Sequence, residues 1–248
     1  MMDSWWDESG LWQGLHTLFD PVRIPFFRAA LDARFSDEKS VRILDLGSGA
    51  GFVTAGLADV GEWIALDVSF QFVSQLPEGA GRRVVGDAAR VPFNNDSFDA
   101  VVCSEVLEHV GDPEMVVAQA ARITRIGGLL LFSTPIRSRW SRLLLVEAAQ
   151  KWRLTRVLPE DLHDWHRFLT RSELERILTR HGYGVTEIRG VGLRPSQWWQ
   201  AVRALVSLKT LRISHAEAGR RIGLGLTSNM RMAVIGTAQK LKETNIRR

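Results

Sequence analysis

The stretch Val41-Arg42-Ile43-Leu44-Asp45-Leu46-Gly47-Ser48-Gly49-Ala50-Gly51-Phe52 decides the fold. Its first half reads as a buried β-strand, with Val41, Ile43, Leu44 and Leu46 supplying the apolar surface. Its second half is a turn with glycine at alternate positions, where the backbone can pass close to a ligand that a Cβ would strike. Such a turn seats a nucleotide-like cofactor. Phe52 stands where a dinucleotide fingerprint needs its third glycine, so the spacing argues against NAD.

Downstream, Glu62-Trp63-Ile64-Ala65-Leu66-Asp67 reads as the next strand, and Asp67 falls 16 residues after Gly51, room for one helix. A carboxylate at that strand end can accept both ribose hydroxyls. Residues 84–88 suggest a third strand whose Asp87 meets an adenine amino group, residues 97–104 a fourth, and residues 127–133 a fifth. A sixth is expected at 184–188 and a seventh at 230–237, the two closing an antiparallel hairpin at the sheet edge. The cofactor-binding set is then Asp45, Gly47, Ser48, Gly49, Gly51, Asp67, Val68, Asp87, Ala88 and Ser104. This order of strand-end features resembles the class I S-adenosylmethionine (SAM)-dependent methyltransferases. The resemblance implies an α/β, Rossmann-like sheet of seven strands with helices on both faces, and SAM as the cofactor.

A chain of 248 residues suits one such domain with appended structure, and lacks the uninterrupted apolar run of a membrane span or the look of a signal peptide. The single Cys103 excludes an internal disulfide and a cysteine zinc cluster, which fits a cytoplasmic enzyme. Charge is uneven: from Arg189 onward twelve Lys and Arg face two acids, so that stretch carries +10 and the remainder −6. A basic end of this kind fits an anionic surface, or a plain solvated face.

The expected organisation is a helical lid at 1–38, rich in tryptophan, with Asp20-Pro21 as cap and first turn of a helix to about Phe35. A cofactor core follows at 39–135, a substrate cap at 136–168, and C-terminal helices and edge strands with a basic tail at 169–248. Within the cap, Trp140, Leu143, Leu144, Leu145, Val146 and Trp152 mix with Arg137, Arg139, Arg142, Lys151, Arg153 and Arg156. That mixture suggests an interfacial helix, peripheral to the inner face of a membrane, or an ordinary helix over the substrate pocket. Thr170-Arg171-Ser172-Glu173 looks like a capping box opening a helix that Gly182 ends, and a further helix is expected at 198–208.

The chemistry is expected directly after the fourth strand, where a helix carrying Glu105, Glu108 and His109 at i, i+3 and i+4 would set three ligands on one face. Two carboxylates and an imidazole suit Mg²⁺ or Mn²⁺, with Zn²⁺ the three-ligand alternative. The bland reading is a helix N-terminus dressed with acids. His163 or His166, near the end of the cap, could complete the metal site or act as the base. The catalytic candidates are thus His163, His109 and His166, and the metal candidates Glu105, Glu108, His109 and His163.

Trp5-Trp6-Asp7, the 105–110 run, Phe132-Ser133-Thr134, Leu158-Pro159 with His163-Asp164-Trp165, and Phe168 before a helix fall in the order of the ubiquinone-pathway O-methyltransferases, which this chain resembles to about Ile188. The resemblance implies transfer to a hydrophobic phenol or catechol, such as a polyprenyl quinol precursor, at a membrane surface, with a divalent cation at the Glu-x-x-Glu-His run. The chain departs from that family's Cys-Gly-Gly-Gly at Gly47-Ser48-Gly49-Ala50-Gly51, and from its Tyr-Asn-Pro at Leu193-Arg194-Pro195. Two alternatives stand beside it. One is an RNA 2′-O-methyltransferase with the same metal run, against which the absence of a recognisable RNA-binding module weighs. The other is a non-catalytic SAM-binding regulatory subunit.

Overall fold

The computed structural model describes residues 11–38, 40–151, 162–193, 198–210 and 213–242. In chain order its elements are α1 (Leu11–Phe35), β1 (Arg42–Leu46), α2 (Phe52–Gly56), β2 (Glu62–Asp67), α3 (Phe70–Ser74), β3 (Arg82–Val85), β4 (Phe98–Ser104), α4 (Pro113–Ile123), β5 (Thr124–Pro135), α5 (Arg139–Ser141), α6 (Arg171–Arg180), β6 (Tyr183–Leu193), α7 (Trp198–Lys209), α8 (His215–Ile222), β7 (Leu224–Thr227) and β8 (Ala233–Lys240). A π-helical segment, Arg142–Lys151, continues α5, and a 3-10 turn, Trp165–Arg167, precedes α6. Trp5, Trp6, Asp7, Trp152, Arg153, Arg156, Leu158, Pro159, Arg194 and Pro195 lie outside the described residues.

The strands form one sheet in the order β3-β2-β1-β4-β5-β8-β6-β7. The first five pair in parallel, β8 runs antiparallel to both β5 and β6, and β7 antiparallel to β6. Parallel strands are covered on both faces, and the period-two alternation of a strand divides their side chains between two cores. Leu44, Leu46, Val101, Cys103, Leu130 and Phe132 pack on one face with Val116, Val117 and Ala120 of α4 and Leu174 and Leu178 of α6. Ile43, Ala100, Val102, Leu129 and Leu131 pack on the other, against Val22, Phe27, Leu31 and Phe35 of α1 and Val53 of α2. Among the described residues no helix is long and apolar enough to cross a membrane.

The sheet is the expected Rossmann-like one with helices on both faces, and four expectations need correction. Among the described residues it has eight strands rather than seven, because Leu224–Thr227 adds a short outer strand beyond β6. The last strand in sequence does pair antiparallel with β6 as expected, but it lies inside the sheet, between β5 and β6, rather than at its edge. Asp20-Pro21 does not open a helix: α1 begins at Leu11 and carries Pro21 and Pro25 in its interior. Proline there removes helical hydrogen bonds, and burial of Val22, Phe26, Phe27 and Leu31 against the sheet offsets the loss. Finally, no helix carries Glu105, Glu108 and His109. The chain leaves β4 through a tight turn in which Glu105 has φ +57°, and α4 starts later, at Pro113 behind an Asp112 cap that accepts the Met115 N–H at 3.1 Å.

Candidate active site

Strands β1, β2, β4 and β5 run parallel, so the loops after Leu46, Asp67, Ser104 and Pro135 meet along one edge of the sheet. At β1 the chain turns sharply: the Gly47 and Ser48 N–H groups both donate to the Leu66 carbonyl, at 2.8 and 2.9 Å. Gly47 and Gly51 both have φ +76°, and a Cβ on Gly47 would lie 2.5 Å from Val106 Cγ2. Only glycine meets both demands. Asp67 braces the turn, its Oδ2 accepting the Gly49 N–H and its Oδ1 the Ser69 N–H, each at 2.9 Å. Each oxygen keeps a second lone pair, so the carboxylate retains acceptor capacity for ribose hydroxyls. Val68 beside it is 76% exposed, an apolar surface where a base can lie.

The remaining expected donor-site residues fall less evenly. Asp45 is buried beneath the turn, accepts the Thr54 hydroxyl at 2.7 Å, and is pushed by burial up to about 6. It supports the loop from below. Asp87 lies beyond the end of β3, exposed, with Oδ1 accepting the Ala89 N–H at 2.8 Å, and Ala88 is buried. Ser104 ends β4 and joins a chain of polar contacts that sequence reasoning missed. Arg23, 5% exposed on α1, donates from Nη1 to Ser104 Oγ at 3.1 Å and is paired to Asp20. His16, one turn above Asp20, stacks on Phe52 at 3.9 Å between ring centroids. The His16, Asp20, Arg23 spacing along one helical face was the available signal. An open cleft of about 650 Å³ lined by His16, Asp20, Ile24, Phe52 and Arg220 adjoins the turn. A larger hollow of about 760 Å³ between α1 and β5 to β8 shares no lining residue with the donor loop.

Beyond Ser104 the structure brings together Glu108, His109 and His163, each offering a ligand atom within 4.8 Å of the others. Glu108 is buried; its Oε2 accepts the Thr134 hydroxyl at 3.1 Å, and its Oε1 has no hydrogen-bond partner among the described residues, lying 3.9 Å from His109 Nε2. The His109 and His163 rings stack at 5.5 Å, and His163 Nδ1 is likewise buried without a hydrogen-bond partner. Gln150 of the π-helical segment accepts the His163 N–H at 2.9 Å and fixes that loop, a role no local pattern announced. Burial drives the Glu108 carboxyl well above the usual carboxylate range, with the Glu105 charge adding to it. Partial desolvation lowers His109, whose ring stays partly exposed, and burial takes His163 down to about 3 with His109 contributing. Glu105 stands beside this cluster and accepts the Ser133 hydroxyl at 2.7 Å. His166 is exposed on the 3-10 turn, its ring set against Trp165, apart from the three ligating groups.

A sequence profile described as a methyltransferase domain matches residues 44–132. The ubiquinone biosynthesis O-methyltransferase of Methylococcus capsulatus is 32% identical over 199 residues, covering 77% of this chain and 81% of that protein. Its counterpart from Neisseria meningitidis serogroup C is 31% identical over 199 residues, covering 76% and 80%. Among solved structures, a SAM-dependent methyltransferase from Thermotoga maritima superposes with a TM-score of 0.55 at 17% identity, over 88% of this chain and 90% of that one. The MccD protein gives 0.59 at 14% identity, over 87% and 96%. Those two likenesses speak to the fold alone. Sequence identity across four fifths of a relative, over this loop and this sheet, settles the family: the chain belongs to the ubiquinone biosynthesis O-methyltransferases, a group of class I SAM-dependent methyltransferases.

Proposed function

We propose that this enzyme methylates the hydroxyl oxygen of a hydrophobic phenol or catechol, a polyprenyl quinol precursor or a similar lipid-like acceptor, beside a divalent cation. The observation that carries the cation is the Glu108, His109, His163 cluster, in which Glu108 Oε1 and His163 Nδ1 are buried without hydrogen-bond partners among the described residues. Buried polar atoms left unpaired are costly, and a ligated ion satisfies them. One carboxylate with two imidazoles is a softer donor set than two carboxylates with one, and favours Zn²⁺ or Mn²⁺ over Mg²⁺. Glu105 adjoins the cluster as a further oxygen donor.

When bound, the cation supplies Lewis acidity that makes a phenolic hydroxyl easier to ionise. The chain's own groups do the rest. The glycine turn and Asp67 would hold the nucleoside, and the buried Arg23 guanidinium at Ser104 would offer its charge to the donor's carboxylate. Desolvation keeps His109 and His163 in the neutral form in which an imidazole ligates a cation. Aligning donor methyl and acceptor oxygen supplies much of the acceleration. Two exposed apolar patches with arginine support placement at an anionic membrane: Trp140 and Leu143 with Arg139 and Arg142, and Trp199, Val202 and Val206 at i, i+3 and i+7 of α7 with Arg203.

Labelled SAM incubated with a catechol and prenyl-phenol panel tests the reading. Methyl transfer to a catechol is expected to fall on chelation and to return with Mn²⁺ or Zn²⁺. Glu108→Ala is expected to lower turnover at saturating SAM by about 10–100-fold. Transfer by Glu108→Ala equal to that of the parent and indifferent to EDTA would remove the cation while leaving the family intact.

A further inference from the structure

We infer that a polarised hydrogen-bond relay, Arg23 to Ser104 to Ser133 to Glu105, couples occupancy of the donor pocket to the cation cluster, with Ser104 and Ser133 as positioning residues; the inference rests on the cation reading above. Ser104 and Ser133 are register partners across β4 and β5, and their hydroxyl oxygens lie 2.8 Å apart. Arg23 Nη1 stands 3.1 Å from Ser104 Oγ at one end, and Ser133 Oγ 2.7 Å from Glu105 Oε1 at the other.

The proton directions follow from the ends. A guanidinium only donates and a carboxylate only accepts, so Ser133 gives its single hydrogen to Glu105, Ser104 gives its own to Ser133, and Arg23 donates to Ser104. Every hydrogen points from cation to anion, and bonds so aligned polarise one another. The Glu105 backbone is anchored to the same residue, its N–H donating to the Ser133 carbonyl at 2.8 Å, which holds a non-glycine residue at φ +57°. Glu105 is thereby kept on Ser133, yet close enough to Glu108 for its charge to raise that carboxyl. A donor carboxylate at Arg23 competes for the guanidinium and weakens the whole row. Glu105 then has less of its charge satisfied by hydroxyl and more available to an ion at Glu108. The sign is positive: donor tightens cation, and by linkage cation tightens donor by the same factor.

Titration calorimetry of the full chain with Mn²⁺, in the absence and presence of saturating S-adenosylhomocysteine, tests this in the parent, Ser133→Ala, Ser104→Ala and Ser104→Thr. Ser104 is the less buried serine, so its variants carry the test should Ser133→Ala fold poorly. The parent is expected to bind Mn²⁺ at least about fivefold tighter with the nucleoside present. Both alanine variants are expected to lose that difference, and Ser104→Thr, which restores the hydroxyl, to recover it. Equal Mn²⁺ affinity with and without nucleoside in the parent, or an undiminished difference in the alanine variants, overturns the relay. Failure of the parent to bind Mn²⁺ in either condition overturns the cation reading and the relay together, and is told apart from the other failures by the metal-only titration.

Discussion

Burial of the Asp45 carboxyl at the end of β1 raises it from an ordinary value near 3.8 to about 6. The folded chain therefore holds that proton more firmly than the unfolded chain. Its contribution to stability is full below about pH 3.8 and is lost as pH rises through 6. The gap corresponds to about 3 kcal/mol at neutral pH. Asp45→Asn keeps an acceptor for Thr54 and removes the charge, so calorimetry should show a higher Tm than the parent at pH 7.5, with the difference closing toward pH 4. Parallel Tm profiles across that range would refute the assignment. At this scale the sequence was legible where function demands an unusual backbone: Gly47, Gly51 and Asp67 announced themselves. Arg23 and Gln150 did not, because each acts on a residue distant in the chain, 81 and 13 positions away.

Helix α6 shows local chemistry setting an element. The Thr170 hydroxyl accepts the Glu173 N–H while the Glu173 carboxylate accepts the Thr170 N–H, and Leu174, Ile177 and Leu178 face the core. Thr170→Ala is expected to cost about 1 kcal/mol, read as a lowered urea midpoint at unchanged m-value. The same kind of reasoning misled at two other helices. Spacing alone made residues 105–109 look helical, whereas Glu105 turns the chain aside and the helix starts only at Pro113, behind the Asp112 cap. At α1 the Asp20-Pro21 pair looked like a start, but the Asp20 carboxylate is engaged by Arg23 and His16 within a helix already under way. Strand β7 escaped notice because it is four residues long, contains Gly225, and owes its pairing to β6 rather than to its own pattern.

Over the whole molecule, strand alternation and the glycine turn made the parallel half of the sheet readable from one sequence, while the insertion of β8 between β5 and β6 is a matter of long-range pairing. Charge is a property of the same scale. Each basic residue close to an anionic leaflet contributes about 1 kcal/mol and is screened by salt. Sedimentation with phosphatidylglycerol vesicles is expected to carry the chain down at low ionic strength, to release it at about 0.5 M salt, and to weaken with Trp199→Ser. No enrichment on anionic over neutral vesicles would remove the membrane placement. Cys103, the chain's one sulfhydryl, sits on β4 beneath Val116, Ala120, Leu174 and Leu178, 3% exposed, with burial holding the thiol well above its ordinary ionisation range. A disulfide-exchange dye can reach it only when the sheet and its covering helices part. The rate of colour release is therefore a built-in clock for opening of the fold, and donor binding should slow that clock without any label being engineered.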